Sequence, residues 1–108
     1  MTTPINSQPQ FFIGQLVHHR KFDYRGVVID VDAEFNGTEE WYQQVALSRP
    51  PKDKPWYHVL VDNSAQTTYV AERHLEQDPS KAPIDHPAID VYFDGLENGV
   101  YTLGKNRQ

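Results

Sequence analysis

Two short segments with alternating apolar residues constrain the fold of this chain more than any other feature. Val27, Ile29 and Val31 fall on one side of the first segment, and Tyr57 and Val59 fall on one side of the second, 56–62. A period of two residues is the pattern of a β-strand whose faces meet different surroundings. The second segment also carries apolar groups on its other face, which favours a central strand. The sequence therefore predicts a β-sheet built around these two strands.

Each of these strands has a neighbour across a polar turn. Residues 14–19 form a short strand before the first, with the turn at 20–25, and residues 67–70 form a β-rich strand after the second. Strands joined by short polar turns form antiparallel hairpins. Two hairpins in a chain of this length predict a mainly β fold, with a small, strongly bent antiparallel sheet or partly open barrel.

One or two short helices complete the predicted architecture. Thr38 is suited to cap a helix that begins at Glu39 and ends before Pro50, because proline disfavours helical geometry in the residue before it. Asp85 is expected to cap a second helix that runs to Phe93. Two further elements are predicted, a single helical turn at 71–75 and a last strand at 100–102.

Length and composition exclude several classes of protein. The chain has 108 residues, 38% of them apolar, and no cysteine. This length suits one domain, and the absence of cysteine removes disulfides, zinc–cysteine sites and thiol nucleophiles. The aliphatic runs are far too short for a membrane-spanning helix, and no apolar stretch precedes Arg20 that would serve as a secretory signal. We therefore expect a cytoplasmic protein that does not enter the membrane.

The charge is segregated along the chain. The net charge is −5, and residues 30–40 carry five acidic side chains and no basic one. Such a balance argues against attraction of nucleic acid to the whole surface, so any nucleic-acid site must be local. The densest basic run is 18–21, followed by Arg25, and two lysines precede Trp56. These cations define the candidate phosphate contacts.

No motif for metal binding or catalysis is present. The histidines lack metal-ligand spacing, and His18 and His19 should face opposite sides of their strand. The acidic segment 30–34 fails as a calcium loop because Phe35 stands where that loop needs glycine. Nucleophile elbows, phosphate-binding glycine loops and dinucleotide fingerprints are also missing. We therefore predict no cofactor, no metal site and no catalytic residue.

Four segments, 13–22, 24–32, 55–62 and 68–75, together resemble the YccV-like family, also described as the HspQ or hemimethylated-DNA-binding family. The resemblance implies an SH3-like β-barrel over residues 12–103, including a C-terminal helix and strand. The ends 1–11 and 104–108 are expected to be flexible. The positions that carry the family framework are Trp56, Tyr57, His58, Tyr69, Ala71, Glu72 and Leu75.

The same resemblance implies two non-enzymatic activities. One is binding of duplex DNA, in particular hemimethylated DNA, and the other is promotion of the degradation of specific or denatured client proteins by the Lon protease under heat stress. For the first activity, the predicted phosphate contacts are Arg20, Lys21 and Arg25, with Lys52 and Lys54 flanking them. A methyl group on one strand would be sensed in the major groove by Trp56 or His58.

Two alternatives remain open. The protein could be a pure protein–protein adaptor for proteolysis without DNA binding, docking through an acidic surface beside Trp41 and Tyr42. It could instead bind a small molecule or act as an enzyme, in a pocket lined by His58 and Glu72. The edges of a small sheet are also compatible with self-association of the chain.

Overall fold

The computed structural model describes residues 8–103, which form two antiparallel sheets. The first has five strands in the order β4-β3-β2-β1-β5, and the second is the hairpin β6-β7. The elements are β1 (Leu16–His19), β2 (Arg25–Asp32), α1 (Glu39–Val45), β3 (Trp56–Val61), β4 (Thr67–Ala71), a 3-10 helix (Glu72–His74), β5 (Leu75–Gln77), α2 (Ile89–Tyr92), β6 (Phe93–Glu97) and β7 (Val100–Leu103). Of the ends predicted to be flexible, 1–11 and 104–108, residues 1–7 and 104–108 lie outside the described residues.

The two alternating segments form the centre of the large sheet, as predicted. β2 pairs with β3 in a register that sets Val27 opposite Leu60 and Val28 opposite Val59, and all four side chains are buried. A register shift after Val28 interrupts this ladder, and such irregularities bend a strand. The bent antiparallel sheet is therefore confirmed.

The closed SH3-like barrel is not confirmed. The 3-10 helix carries the chain from β4, at one edge of the sheet, to β5, at the other edge. Within residues 8–103, no strand pairing joins these two edges, so the hydrogen-bonded ladder remains open. The two edges are nevertheless adjacent in sequence, which brings the 3-10 helix close to the end of β1.

Both faces of the central strands are covered. On one face Leu16, Val27 and Leu60 pack with residues of the C-terminal segment, including Phe93 and Tyr101. On the other face a second cluster consists of Val17, Val28, Tyr57, Val59, Val70 and Leu75. A third cluster is aromatic and packs α1 against the sheet through Tyr42, Trp56, Phe35, Trp41 and Tyr69. Burial on both faces explains why segment 56–62 carries apolar residues on both of its faces.

The first predicted helix is confirmed, but the second is wrong in its bounds. Thr38 caps α1 by accepting a hydrogen bond from the Trp41 amide. Helix α2 spans only Ile89–Tyr92, and Asp85 does not cap it, because the helix begins after Ala88, three residues further along the chain, and has no side-chain cap. Phe93 opens β6 instead of ending the helix. No helix among residues 8–103 is long and apolar enough to cross a membrane.

Candidate functional site

A cleft of about 380 Å³ gathers cations from three separate segments of the chain. Arg20 follows β1, Lys54 precedes β3, and Arg73 lies in the 3-10 helix, and all three line this cleft together with Gln10 and Glu72. We call it the basic cleft. It places three cations of a net acidic protein on one concave surface.

Hydrogen bonds within the fold hold the two arginines of the basic cleft in place. The Arg20 amide donates to the His74 carbonyl at 2.8 Å, and its Nε donates to the Leu75 carbonyl at 3.3 Å. The Arg73 guanidinium donates to the Ser48 carbonyl at 2.7 Å. Arg20 also lies 3.8 Å from a carboxylate oxygen of Glu76 in an exposed ion pair. Because each arginine has five donor hydrogens, both keep further donors for an anion.

Glu72, the acidic residue of the basic cleft, belongs to a network of hydrogen bonds within the fold. Glu72 accepts hydrogen bonds from the Tyr57 hydroxyl at 2.6 Å and from the Gln10 amide at 2.9 Å. The Tyr57 oxygen in turn accepts the amides of Gln10 and Phe11. Burial and the adjacent Glu72 carboxylate raise the pKa of Tyr57, so the phenol remains a donor. The Glu72 carboxylate is therefore hydrogen-bonded within the protein, and the same network holds residues 10–11 beside the cleft.

Lys21 lies next to the basic cleft, at the tip of the β1–β2 hairpin. It directly follows Arg20, which lines the cleft. Burial, and to a lesser extent the charges of Arg73 and Lys21, lowers the pKa of the nearby His74. From the predicted set, the structure thus brings Arg20 and Lys54 together in the cleft, and Lys21 follows Arg20 in the adjoining hairpin turn. The structure adds Arg73, which sequence reasoning missed because its proximity to Arg20 arises only from the pairing of β1 with β5.

Two other predicted cations lie elsewhere. Arg25 is half-buried and joins three segments, since its Nε donates to Asp78 at 2.7 Å, one terminal nitrogen to Asp62 at 3.0 Å and the other to the Ala82 carbonyl at 2.6 Å. Although burial opposes it, the hydrogen bond from Arg25 lowers the pKa of Asp78. Lys52 forms an ion pair with Glu39 and lies over the Tyr42 ring, at 4.3 Å from its centroid.

The two predicted base contacts are also outside the basic cleft. Trp56 is only 1% exposed, and its indole N–H donates to the Pro51 carbonyl at 3.0 Å inside the aromatic cluster. His58 packs against the Tyr69 ring and lies 3.2 Å from an Asp32 oxygen. Within the implied framework, Tyr57, Ala71 and Leu75 are buried. These side chains therefore build the interior.

A comparison with known protein families assigns the domain. The family model of the YccV-like hemimethylated DNA-binding proteins matches residues 9–100. The chain belongs to the YccV-like family. The YccV-like match covers the whole five-stranded sheet and every cation of the basic cleft, and it ends at the first residue of β7.

The YccV-like domain has a second cleft, of about 450 Å³, with acidic and aromatic walls. Asp30, Asp32, Trp41, His58 and Tyr69 line it, and we call it the acidic cleft. Within residues 8–103 it shares no lining residue with the basic cleft. His58 and Glu72 therefore line different clefts, which does not support the pocket that the sequence suggested between them.

The polar side chains of the acidic cleft form hydrogen bonds with one another. The ligand atoms of Asp30, Asp32 and His58 lie within 4.8 Å of one another, a set that a divalent cation could use. However, one Asp32 oxygen already accepts the Tyr69 hydroxyl at 2.6 Å and lies beside His58 Nε2. Burial and this Asp32 carboxylate raise the pKa of Tyr69, which keeps its proton for the bond. We therefore assign no metal to these residues.

Proposed function

We propose that this YccV-like protein is a non-enzymatic, cytoplasmic DNA-binding protein that holds duplex DNA at the basic cleft and prefers hemimethylated sites. The convergence of Arg20, Lys54 and Arg73 on one concave surface is the observation that carries the proposal. Arginine and lysine in such an arrangement contact the phosphate backbone and fix the position of a protein on the duplex.

The convergence matters because the protein as a whole is acidic. With a net charge of −5, distant phosphates are repelled, so binding depends on the few cations that make direct contact. Contacts from these three cations and Lys21 would release about four counterions, and the affinity should fall with a logarithmic salt slope of roughly −3.6. Arg25 and Lys52 are left out of the interface because they do not line the basic cleft and their charges pair with acids elsewhere in the fold.

Fluorescence anisotropy with hemimethylated, fully methylated and unmethylated duplexes of one sequence tests the proposal at several salt concentrations. The wild type should bind the hemimethylated duplex most tightly. Arg73→Gln should weaken binding to all three duplexes and reduce the salt slope by about 0.9. The matched control is Lys81→Gln, since Lys81 is exposed and does not line the basic cleft. Equal affinity and slope for Arg73→Gln and wild type would overturn the assignment of the cleft.

The acidic cleft supports a second candidate function, docking of a protein in Lon-dependent degradation. Trp41 is half-buried at this cleft beside Asp30 and Asp32, and partly exposed tryptophans are frequent anchors of protein interfaces. Tyr42, which the sequence placed on the same surface, is buried and does not contribute. The adaptor surface therefore reduces to Trp41 and its acidic neighbours.

Degradation of unfolded casein by purified Lon, with and without this protein, tests the second candidate. Trp41→Ala should abolish any stimulation, whereas Arg73→Gln should preserve it in the absence of DNA. Stimulation that is lost with Arg73→Gln and retained with Trp41→Ala would contradict docking at the acidic cleft.

A further inference from the structure

An exposed aromatic ring stands at the tip of the β1–β2 hairpin, next to the basic cleft. Phe22 is 67% exposed, although burial of a phenylalanine side chain is worth roughly 1.5–3 kcal/mol. Its ring stacks on His19, with centroids 4.8 Å apart and planes 19° from parallel. Most of the ring surface nevertheless faces solvent and is accessible to a binding partner.

The hairpin holds Phe22 in this exposed position. His19 Nδ1 accepts the amides of Lys21 at 3.1 Å and of Phe22 at 3.0 Å, and the His19 carbonyl accepts the amide of Asp23 at 2.9 Å. His19 itself is only 4% exposed and stacks on His74, with planes 10° from parallel. Phe22 is therefore the outermost ring of a three-ring stack that is anchored in the fold.

The surroundings of Phe22 are cationic. Arg20 and Lys21 precede it in the same turn, and Lys21 Nζ lies 5.7 Å from the ring centroid. Arg73 adjoins His74 at the other end of the stack. An aromatic ring among cations is the arrangement with which proteins bind nucleic-acid strands, where the base stacks on the ring and the cations contact the flanking phosphates. An apolar ring can also open a base step of a duplex.

We infer that Phe22 is a stacking site for a nucleobase that is unstacked from the DNA held at the basic cleft. This inference rests on the proposed DNA binding and names the group that the hairpin tip contacts. Because the hairpin fixes the ring before binding, little conformational entropy is lost when a base packs on it. The cost of the contact is the unstacking of the base, so a base that is already unpaired should bind best.

Two duplexes of one sequence test the inference, one fully paired and one with a single unpaired adenine. The wild type should bind the bulged duplex more tightly. Phe22→Ala should lose this preference, and its affinity for the bulged duplex should fall by roughly 5- to 150-fold, since stacking on an aromatic side chain is worth about 1–3 kcal/mol. Its salt slope should remain that of the wild type. Phe22→Trp should retain the preference.

Phe12→Ala is the matched control, because Phe12 is also exposed, at 51%, but lies outside the hairpin. It should bind both duplexes like the wild type. If Phe22→Ala keeps the preference for the bulged duplex while Arg73→Gln weakens both duplexes, the stacking site is wrong and the DNA-binding cleft stands. If the wild type binds neither duplex at low salt, the proposed function fails and the stacking site with it.

Discussion

His19 links the stability of the protein to pH at the scale of a single residue. Burial, and to a lesser extent the charges of His74, His18 and Lys21, lower its pKa from 6.5 to about 4. The folded state thus favours the neutral ring, whose Nδ1 accepts the two hairpin amides. Its contribution to stability is complete above pH 6.5 and is lost as the pH falls toward 4, because the unfolded chain binds the proton first.

As the pH falls from 7.5 to 5, loss of the His19 contribution should lower the free energy of unfolding by about 2 kcal/mol. His18 acts in the opposite direction, because hydrogen bonds to Asp23 and Glu76 raise its pKa, and its contribution is lost as the pH rises through that raised value. The His18→Gln substitution removes this compensation, and urea unfolding of this variant at the two pH values measures the remaining change. The His19 ring should titrate near pH 4 by NMR, and titration near 6.5 would contradict the prediction.

Single residues also show how much of the site the sequence can reveal. Local charge density identified Arg20 and Lys21, because they are adjacent in the chain. It also selected Arg25, which is engaged by Asp62 and Asp78, since sequence does not show which acids fold back onto a cation. Arg73 was missed for the same reason, because only strand pairing brings it to the cleft. Burial of Trp56 likewise depends on packing against α1.

At the scale of single residues, substitutions of Arg25 and Arg20 distinguish a role in stability from a role in DNA binding. Arg25→Gln should lower the free energy of unfolding by about 2 to 3 kcal/mol, because it leaves Asp62 and Asp78 without their half-buried partner. Arg20→Gln should cost much less, since Arg20 is exposed. Denaturant unfolding measures both. In anisotropy at a temperature where both variants are folded, only Arg20→Gln should weaken DNA binding, and the reverse pattern would exclude our division of roles.

At the scale of elements, one glycine attaches the C-terminal hairpin to the large sheet. The Gly14 amide donates to the Val28 carbonyl at 2.8 Å, and its carbonyl accepts the Tyr101 amide at 2.9 Å. Its φ is +95°, and a Cβ atom there would lie 2.2 Å from the Tyr101 carbonyl oxygen. Both the backbone conformation and the close approach therefore require glycine.

Gly14→Ala should reduce the free energy of unfolding by about 2 to 3 kcal/mol through backbone strain and separation of β7 from Gly14. Gly95→Ala is the matched control, because a Cβ at Gly95 meets no atom within 4 Å. It should change stability by less than about 0.5 kcal/mol. Urea unfolding measures both variants. Equal losses would show that the contact between Gly14 and Tyr101 does not hold the hairpin.

Periodicity predicts elements only where they are long enough to show it. β2 and β3 were identified because their alternation extends over six residues or more, and α1 because Thr38 and the prolines mark its ends. β5 has three residues, which is too few for a pattern. Phe93, the first residue of β6, fits a helix in the sequence because it lies four residues after Ile89 and precedes Asp94-Gly95. The irregularity between Phe93 and Gly95 also interrupts the alternation of β6.

At the scale of the whole molecule, DNA binding must overcome the acidic charge outside the basic cleft. The molecule measures 37 × 36 × 27 Å, so most of its charges lie within about 30 Å of a bound duplex, the screening length at 0.01 M salt. At 0.1 M salt that length is about 10 Å, and distant acids no longer act. Remote and contact charges therefore differ in their dependence on salt.

Neutralising two exposed acids outside both clefts tests this separation. The double variant Asp90→Asn with Glu97→Gln should raise DNA affinity by roughly two- to fivefold at 0.01 M salt, because it removes long-range repulsion. The gain should vanish at 0.1 M salt, whereas the loss caused by Arg73→Gln should persist there because its contact is direct. Anisotropy at the two salt concentrations measures both effects. A gain of equal size at both would mean that Asp90 or Glu97 lies at the interface, and the duplex would then have to be placed on the C-terminal side of the sheet.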